Sequence, residues 1–174
     1  FRRVLFRSTL DGLAGGKTPA ARLPIMRDPH IGAIGATGLF LSLFLRYAGL
    51  MALPQALRVP ALLCMPAIGR WAMVTVAWMS PYARSEGGLA ASFLPHLSWV
   101  HLVAATGGLA AGLVWGFGIL STLVIVLTGS MVVVAVWAGC RLWFGGITGD
   151  TLGATNEVSE ILFLLLAPLL LRLS

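Results

Sequence analysis

The sequence predicts an all-α fold, a polytopic integral membrane helical bundle of about five spans. Three observations carry this reading. Of the 174 residues, 58% are hydrophobic and 10% are charged, whereas a soluble domain carries about 25% charged residues. The eighteen charges cannot cover the surface of a soluble globule of this length. Finally, the 54 residues from Gly87 to Cys140 contain no Asp, Glu, Lys or Arg. This composition excludes intrinsic disorder, a disulfide scaffold and an ordinary nucleic-acid-binding domain. Cys64 and Cys140 lie far apart in apolar stretches and read as buried, reduced thiols without metal-ligand spacing.

The elements follow in chain order. Residues 1–30 hold eight of the eighteen charges, with Gly12, Gly15, Gly16, Pro19, Pro24 and Pro29 among them. They read as loops and short helices at a membrane surface or in a cavity. Ile31–Leu53 is a span interrupted only by Arg46, and Val59–Met79 is a span interrupted only by Arg70. About 30 Å of hydrocarbon at 1.5 Å per residue needs about 20 residues, so the charge-free run holds two spans. The break is expected near Gly116–Gly118, giving Trp99–Phe117 and Ile119–Arg141. Trp99, Trp115, Trp137 and Trp143 then sit near span ends, as an aromatic belt would place them. Asn156–Leu171, with Pro168, is the last and shortest span. Gly32 with Ala36, and Gly108 with Gly112, are small residues four apart and read as helix-packing positions.

The net charge of +6 fits cytoplasmic loops, which collect Arg and Lys. It fits no nucleic-acid partner, but planar guanidinium groups also suit phosphate oxygens. Three strings between the spans carry the chemistry. The first runs from Asp11-Gly12-Leu13 to Arg27-Asp28-Pro29-His30. It sets two carboxylates on one side of the first span, and Asp11-Gly12 is equally readable as a turn. Gly15-Gly16-Lys17-Thr18 ends like a phosphate-binding loop, but the earlier Gly and the strand are missing. The second, Ser80 to Leu89, holds Tyr82, Arg84 and Glu86 and is also readable as a solvated connection with an Arg–Glu pair. The third begins Phe144-Gly-Gly-Ile-Thr-Gly-Asp-Thr-Leu-Gly, where four glycines make a backbone able to bend round a ligand. Asp150 is the only carboxylate in the stretch before the last helix. Glu157 and Glu160, three apart, share a helix face and suit a helix start. Arg46 and Arg70, inside spans, need polar partners, and Pro66 and Gly69 offer a place to unwind beside Arg70. His96 and His101 are off one helix face and read as interfacial rather than as ligands.

These strings resemble the cobalamin-5'-phosphate synthase family, the adenosylcobinamide-GDP ribazoletransferases. The resemblance runs from about Asp11 to the end of the chain. It rests on Asp11-Gly12-Leu13, on Ile25 to Asp28 with Gly32 and Gly35, and on Gly69-Arg70. It continues in Tyr82-Ala83-Arg84 with Glu86-Gly87, and in Gly145 to Ala154 with Glu157, Glu160 and Phe163. It implies a multi-pass enzyme of the bacterial or archaeal cytoplasmic (inner) membrane. Such an enzyme joins adenosylcobinamide-GDP to α-ribazole-5'-phosphate, or α-ribazole, and releases GMP with magnesium. It further implies catalytic roles for Arg27, Arg70 and Arg84. Metal ligation falls to Asp11, Asp28 and Asp150. Substrate contacts fall to Tyr82, Gly145, Gly146, Thr148, Gly149 and Thr151. A homo-oligomer is left open.

The resemblance also implies further N-terminal sequence, with spans and an Asp-rich string, ahead of Asp11. Residues 1–8 do not match the family, and residues 9–174 form the C-terminal part of a single transmembrane synthase domain. On this reading the chain alone lacks some metal ligands and activity with them. The competing reading is a transporter or transporter subunit, with Arg46 and Arg70 lining a path. That reading predicts an internal repeat, which the sequence lacks. A CDP-alcohol phosphotransferase would need paired aspartates on one helix, and only Asp11 stands where such a pair would fall.

Overall fold

The computed structural model describes residues 2–84, 87–88 and 90–170. Glu86, part of the second string, lies outside the described residues, as does the end of the last expected span at Leu171. The elements are helices: α1 (Arg2–Gly15), α2 (Pro19–Ile25), α3 (Ala33–Ala52), α4 (Gln55–Met79), α5 (Trp99–Phe144) and α6 (Gly149–Leu170), with a short 3-10 turn at Leu94–His96. Three of them, α3, α4 and α5, are long and apolar enough to cross a membrane.

The charge-free run becomes α5, 46 residues long. It breaks where the sequence predicts, at Gly118, with φ 78° and ψ 172°. That conformation is open essentially to glycine alone. The break reverses the chain. Trp71 Nε1 donates to Thr106 Oγ1 at 3.0 Å, and a Cβ on Gly129 would meet the same indole at 3.2 Å. In a straight helix residues 106 and 129 would stand about 35 Å apart. Residues 99–117 therefore run antiparallel to residues 119–144, and the two expected passes are present within one element. Trp99, Trp115 and Trp143 are exposed along it, while Trp137 Nε1 donates to Met79 O.

The bundle is apolar outside and polar within. Phe40, Phe44 and Tyr47 on α3, Leu63 on α4, and Leu127 and Met131 on α5 are exposed, as lipid contact requires. The central helix is α6, which packs against α1, α3, α4 and α5. Among its described residues none is exposed, and its buried set includes Thr151, Thr155, Asn156, Glu157 and Glu160. Phe163 meets Phe117 edge-on at 5.8 Å between ring centroids. Cys64 and Cys140 are free and buried, as expected.

Two expectations need correction. First, α6 begins at Gly149, seven residues before the predicted start at Asn156. Glu157 and Glu160 are thus mid-helix residues, not a helix start, and the third string is a loop only over residues 145–148. Second, only one member of each small-residue pair packs. Gly32 lies against Asp11 and Gly112 against Cys64, whereas Ala36 is exposed and a Cβ on Gly108 would meet open space. Close approach falls also at Gly49 on Leu164, Gly153 on Leu5, and Gly116 on Pro60.

The contacts fix which helix ends share a face. Gly49 meets Leu164 and Arg46 meets Glu160, so α3 runs parallel to α6. Gly69 meets Asn156 and Glu160, whereas Ala77, a turn or two further on, lines one groove with Gly149 and Leu152. So α4 runs antiparallel to α6. The start of α3, the end of α4, the end of α5 and the start of α6 therefore lie together at one membrane face. The end of α1 joins them through Asp11.

Candidate functional site at one membrane face

The second and third strings are stitched together at this face. Ile147 N donates to Pro81 O at 2.9 Å, and Ala83 N donates to Ile147 O at 2.8 Å. Tyr82 and Ile147 thereby form a parallel bridge. Gly145, with φ 76°, ends α5 in the left-handed conformation that favours glycine. Gly146 passes so close to the second string that a Cβ there would lie 2.5 Å from Pro81 O. Both glycines serve backbone geometry. Gly149 is the first residue of α6.

Across this bridge Arg84 Nη2 pairs with Asp150 Oδ2 at 2.9 Å, and each side chain is 14% exposed. The pair spans 66 positions of sequence. Asp150 lies in the first turn of α6, where the helix dipole favours a carboxylate. It is not the loop residue the sequence predicted. Arg84 presents a guanidinium oriented by a carboxylate, an arrangement suited to phosphate oxygens.

The neighbouring threonines bond to each other across the start of α6. Thr148 N donates to Thr151 Oγ1 at 2.8 Å, and Thr151 N donates to Thr148 Oγ1 at 3.2 Å. This is a reciprocal cap on α6. Thr148 is 0% exposed and Thr151 1%, so their hydroxyls hold the helix start closed to solvent. Tyr82 is half-buried against the core.

Asp11 also has a structural task. Its Oδ1 accepts from Gly35 N at 2.7 Å and its Oδ2 from Gly32 N at 3.0 Å. It caps α3 from a neighbouring helix, and it sits within α1 rather than in a turn. The glycines at 32 and 35 are required because a Cβ at either would run into this carboxylate.

Asp28 lies just before α3, exposed at the same face. Its Oδ1 accepts from His30 N at 2.9 Å and meets His30 Nδ1 at 2.7 Å. These contacts hold its carboxyl below the usual range, with the backbone N–H of His30 the largest cause. Arg27 is exposed beside it. Arg22 ties α2 to the end of α5 by donating to Trp143 O at 2.9 Å.

Arg27, Asp28, Arg84 and Asp150 therefore share a face. The three aspartates, however, are not gathered at one point. Among the described residues no three His, Cys, Asp or Glu side chains group closely enough to hold a metal ion.

Arg70 stands apart. Its Nη1 donates to Glu160 Oε1 at 3.0 Å, to Pro66 O at 2.9 Å and to Asn156 Oδ1 at 3.5 Å. Glu160 lies ten positions beyond Asp150 on α6, about 15 Å deeper along the helix axis. Arg70 and Arg84 therefore pair with α6 at different depths of the bundle. Arg46 pairs with Glu157 at 2.9 Å and also with Glu160. Sequence reasoning left Arg46, Asn156, Glu157 and Glu160 out of the candidate residues. The signal that could have found them is two arginines and two glutamates in otherwise apolar spans, an even count that invites pairing.

Comparisons with known proteins lead to the same family. The family described as cobalamin-5-phosphate synthase matches residues 8–168. The adenosylcobinamide-GDP ribazoletransferase of Syntrophobacter fumaroxidans is 42% identical over 154 residues, covering 88% of this chain and 62% of that protein. Those of Chlorobaculum tepidum and Desulforamulus reducens are 37% and 38% identical, covering 93% and 91% of this chain and 65% and 64% of theirs. The chain spans less than two thirds of the length of these relatives. No solved structure matches it. With the match running through α1 to α6 and containing both stitched strings, the chain belongs to the cobalamin-5-phosphate synthase family.

Proposed function

We propose that the protein joins adenosylcobinamide-GDP to α-ribazole-5'-phosphate, or α-ribazole, and releases GMP. The observation that carries this reading is the Arg84–Asp150 pair, built from two distant strings at one membrane face. The reaction is a phosphoryl transfer. An acceptor hydroxyl attacks the phosphorus on the cobinamide side of the diphosphate. A new P–O bond forms, the bond to GMP breaks, and the acceptor's proton leaves to solvent or a base. Little covalent chemistry falls to the protein, which positions the groups and stabilises charge. Arg84 binds phosphate oxygens, oriented by Asp150. Arg27 adds positive charge at the same face. Asp11 sets the start of α3, and with it the segment bearing Asp28.

Magnesium belongs to the proposal. This ion is commonly held by one or two carboxylates together with substrate phosphates and waters, rather than by a full protein cage. The scattered carboxylates fit that mode. One carboxylate of this face, Asp28 or Asp150, would hold it together with the substrate phosphates, while both oxygens of Asp11 are already committed to α3. When bound, the ion neutralises diphosphate charge.

The site's face is assigned to the cytoplasm of a bacterial or archaeal cell. Lys17, Arg22, Arg27, Arg84 and Arg141 gather there, whereas Arg58 starts α4 at the opposite end. That asymmetry follows the positive-inside tendency. Membranes containing the full-length protein should release GMP from adenosylcobinamide-GDP only when α-ribazole-5'-phosphate or α-ribazole is added, and removing magnesium with EDTA should stop it. Release independent of either acceptor would refute the reading.

A further inference from the structure

About 15 Å below the face, three helices meet at one carboxylate. Glu160 on α6 accepts from Arg46 of α3 and from Arg70 of α4. Glu157, one turn earlier, also holds Arg46. Asn156 Nδ2 donates to Glu160 Oε1 at 2.8 Å, completing its hydrogen bonding. Glu157 and Glu160 are 2% and 4% exposed as side chains, and Arg46 is 15% exposed. With both glutamates ionised the cluster is neutral, two positive and two negative. Gly69 makes room for it, since a Cβ there would lie 2.6 Å from Asn156 Oδ1 and 2.8 Å from Glu160 Oε1.

Close packing of Gly49 on Leu164 and of Gly153 on Leu5 seats α6 among its neighbours, and the buried charges set its depth still more strictly. A one-turn slide would set Asn156 or Leu164 where Glu160 now meets two arginines. Buried ionic groups are best attested as devices that set register. Because α6 carries Asp150 at its first turn, its depth decides whether Asp150 reaches Arg84.

We propose that Glu160 is a positioning residue, the hub of an intramembrane ion-pair clamp with Arg46 and Arg70 that sets the depth of α6. Arg70 then acts through Glu160 and touches no substrate. This rests on the proposed transfer reaction for its readout.

The test is a double-mutant cycle in the full-length protein, scored by GMP release and by the yield of detergent-extracted protein. Glu160→Gln leaves one arginine charge uncompensated and should lower kcat by about tenfold or more, with the KM of both substrates unchanged. Arg70→Gln alone leaves one carboxylate uncompensated and should be similarly impaired. The double variant Glu160→Gln with Arg70→Gln is neutral again, keeps Arg46 on Glu157, and should recover kcat to within about threefold of the wild type. The double variant decides the matter even if Glu160→Gln fails to fold. A double variant extracted normally but no more active than Arg70→Gln would overturn the clamp and return Arg70 to the chemistry. A double variant that is itself not extracted would also overturn it, since balanced charge would then not restore the bundle. Wild-type membranes that release no GMP would instead defeat the transfer reading.

Discussion

Asp11 shows how far a single residue can be read. The sequence marks it as a carboxylate that chemistry could use, but cannot reveal that both its oxygens are taken by α3. Its partners, Gly32 and Gly35, are more than twenty positions away, and their glycine character was legible only as part of a motif. Asp11→Ala should leave two helix N–H groups without acceptors and cost about 1–2 kcal/mol, read as a lower thermal midpoint in detergent. Gly35→Ala should be at least as damaging, because its Cβ would meet the Asp11 carboxylate and Arg7 O. Thr148 and Thr151 carry the complementary lesson. A threonine in a Gly-rich string is equally apt for a ligand or a cap, and only burial separates the two.

At the scale of elements, the two halves of α5 were legible because a charge-free run has a length, and that length exceeds one bilayer crossing. The reversal needs a conformation that one residue type supplies, and glycine stands there. Gly118→Ala should cost about 1–3 kcal/mol through backbone strain at φ 78°, with nothing to clash against. A thermal melt of the detergent-extracted protein should show this, and an unchanged midpoint would argue that the turn relaxes elsewhere. The start of α6 was not legible. Its first turns hold glycines and threonines that propensity assigns to loops, and the reciprocal cap that rescues them exists only once they have folded. The glutamates of α6 likewise make sense only beside arginines on two other helices.

For the whole molecule, the sequence conveyed a membrane helical bundle with its chemistry concentrated in charged strings between spans. It did not convey depth, which requires knowing which helices run parallel. Cysteine labelling checks the arrangement, since Cys64 and Cys140 are buried. Lys17→Cys should react with a membrane-impermeant thiol reagent from the cytoplasmic side, and Gln55→Cys from the other. Both reacting from one side would contradict the helix directions.

The central claim is that the Arg84–Asp150 pair at that face carries out the transfer. Asp150→Asn tests it most directly, because the variant keeps the shape and the place in the first turn of α6 but removes the charge that orients Arg84. The measurement is the rate of GMP formation from adenosylcobinamide-GDP and α-ribazole-5'-phosphate by the full-length protein across a magnesium titration. Extracted yield and thermal midpoint serve as folding controls. Yield should stay near wild type, with turnover reduced by about a hundredfold or more at every magnesium concentration. Near-normal turnover at low magnesium would contradict it and leave Asp150 as a helix-start residue alone.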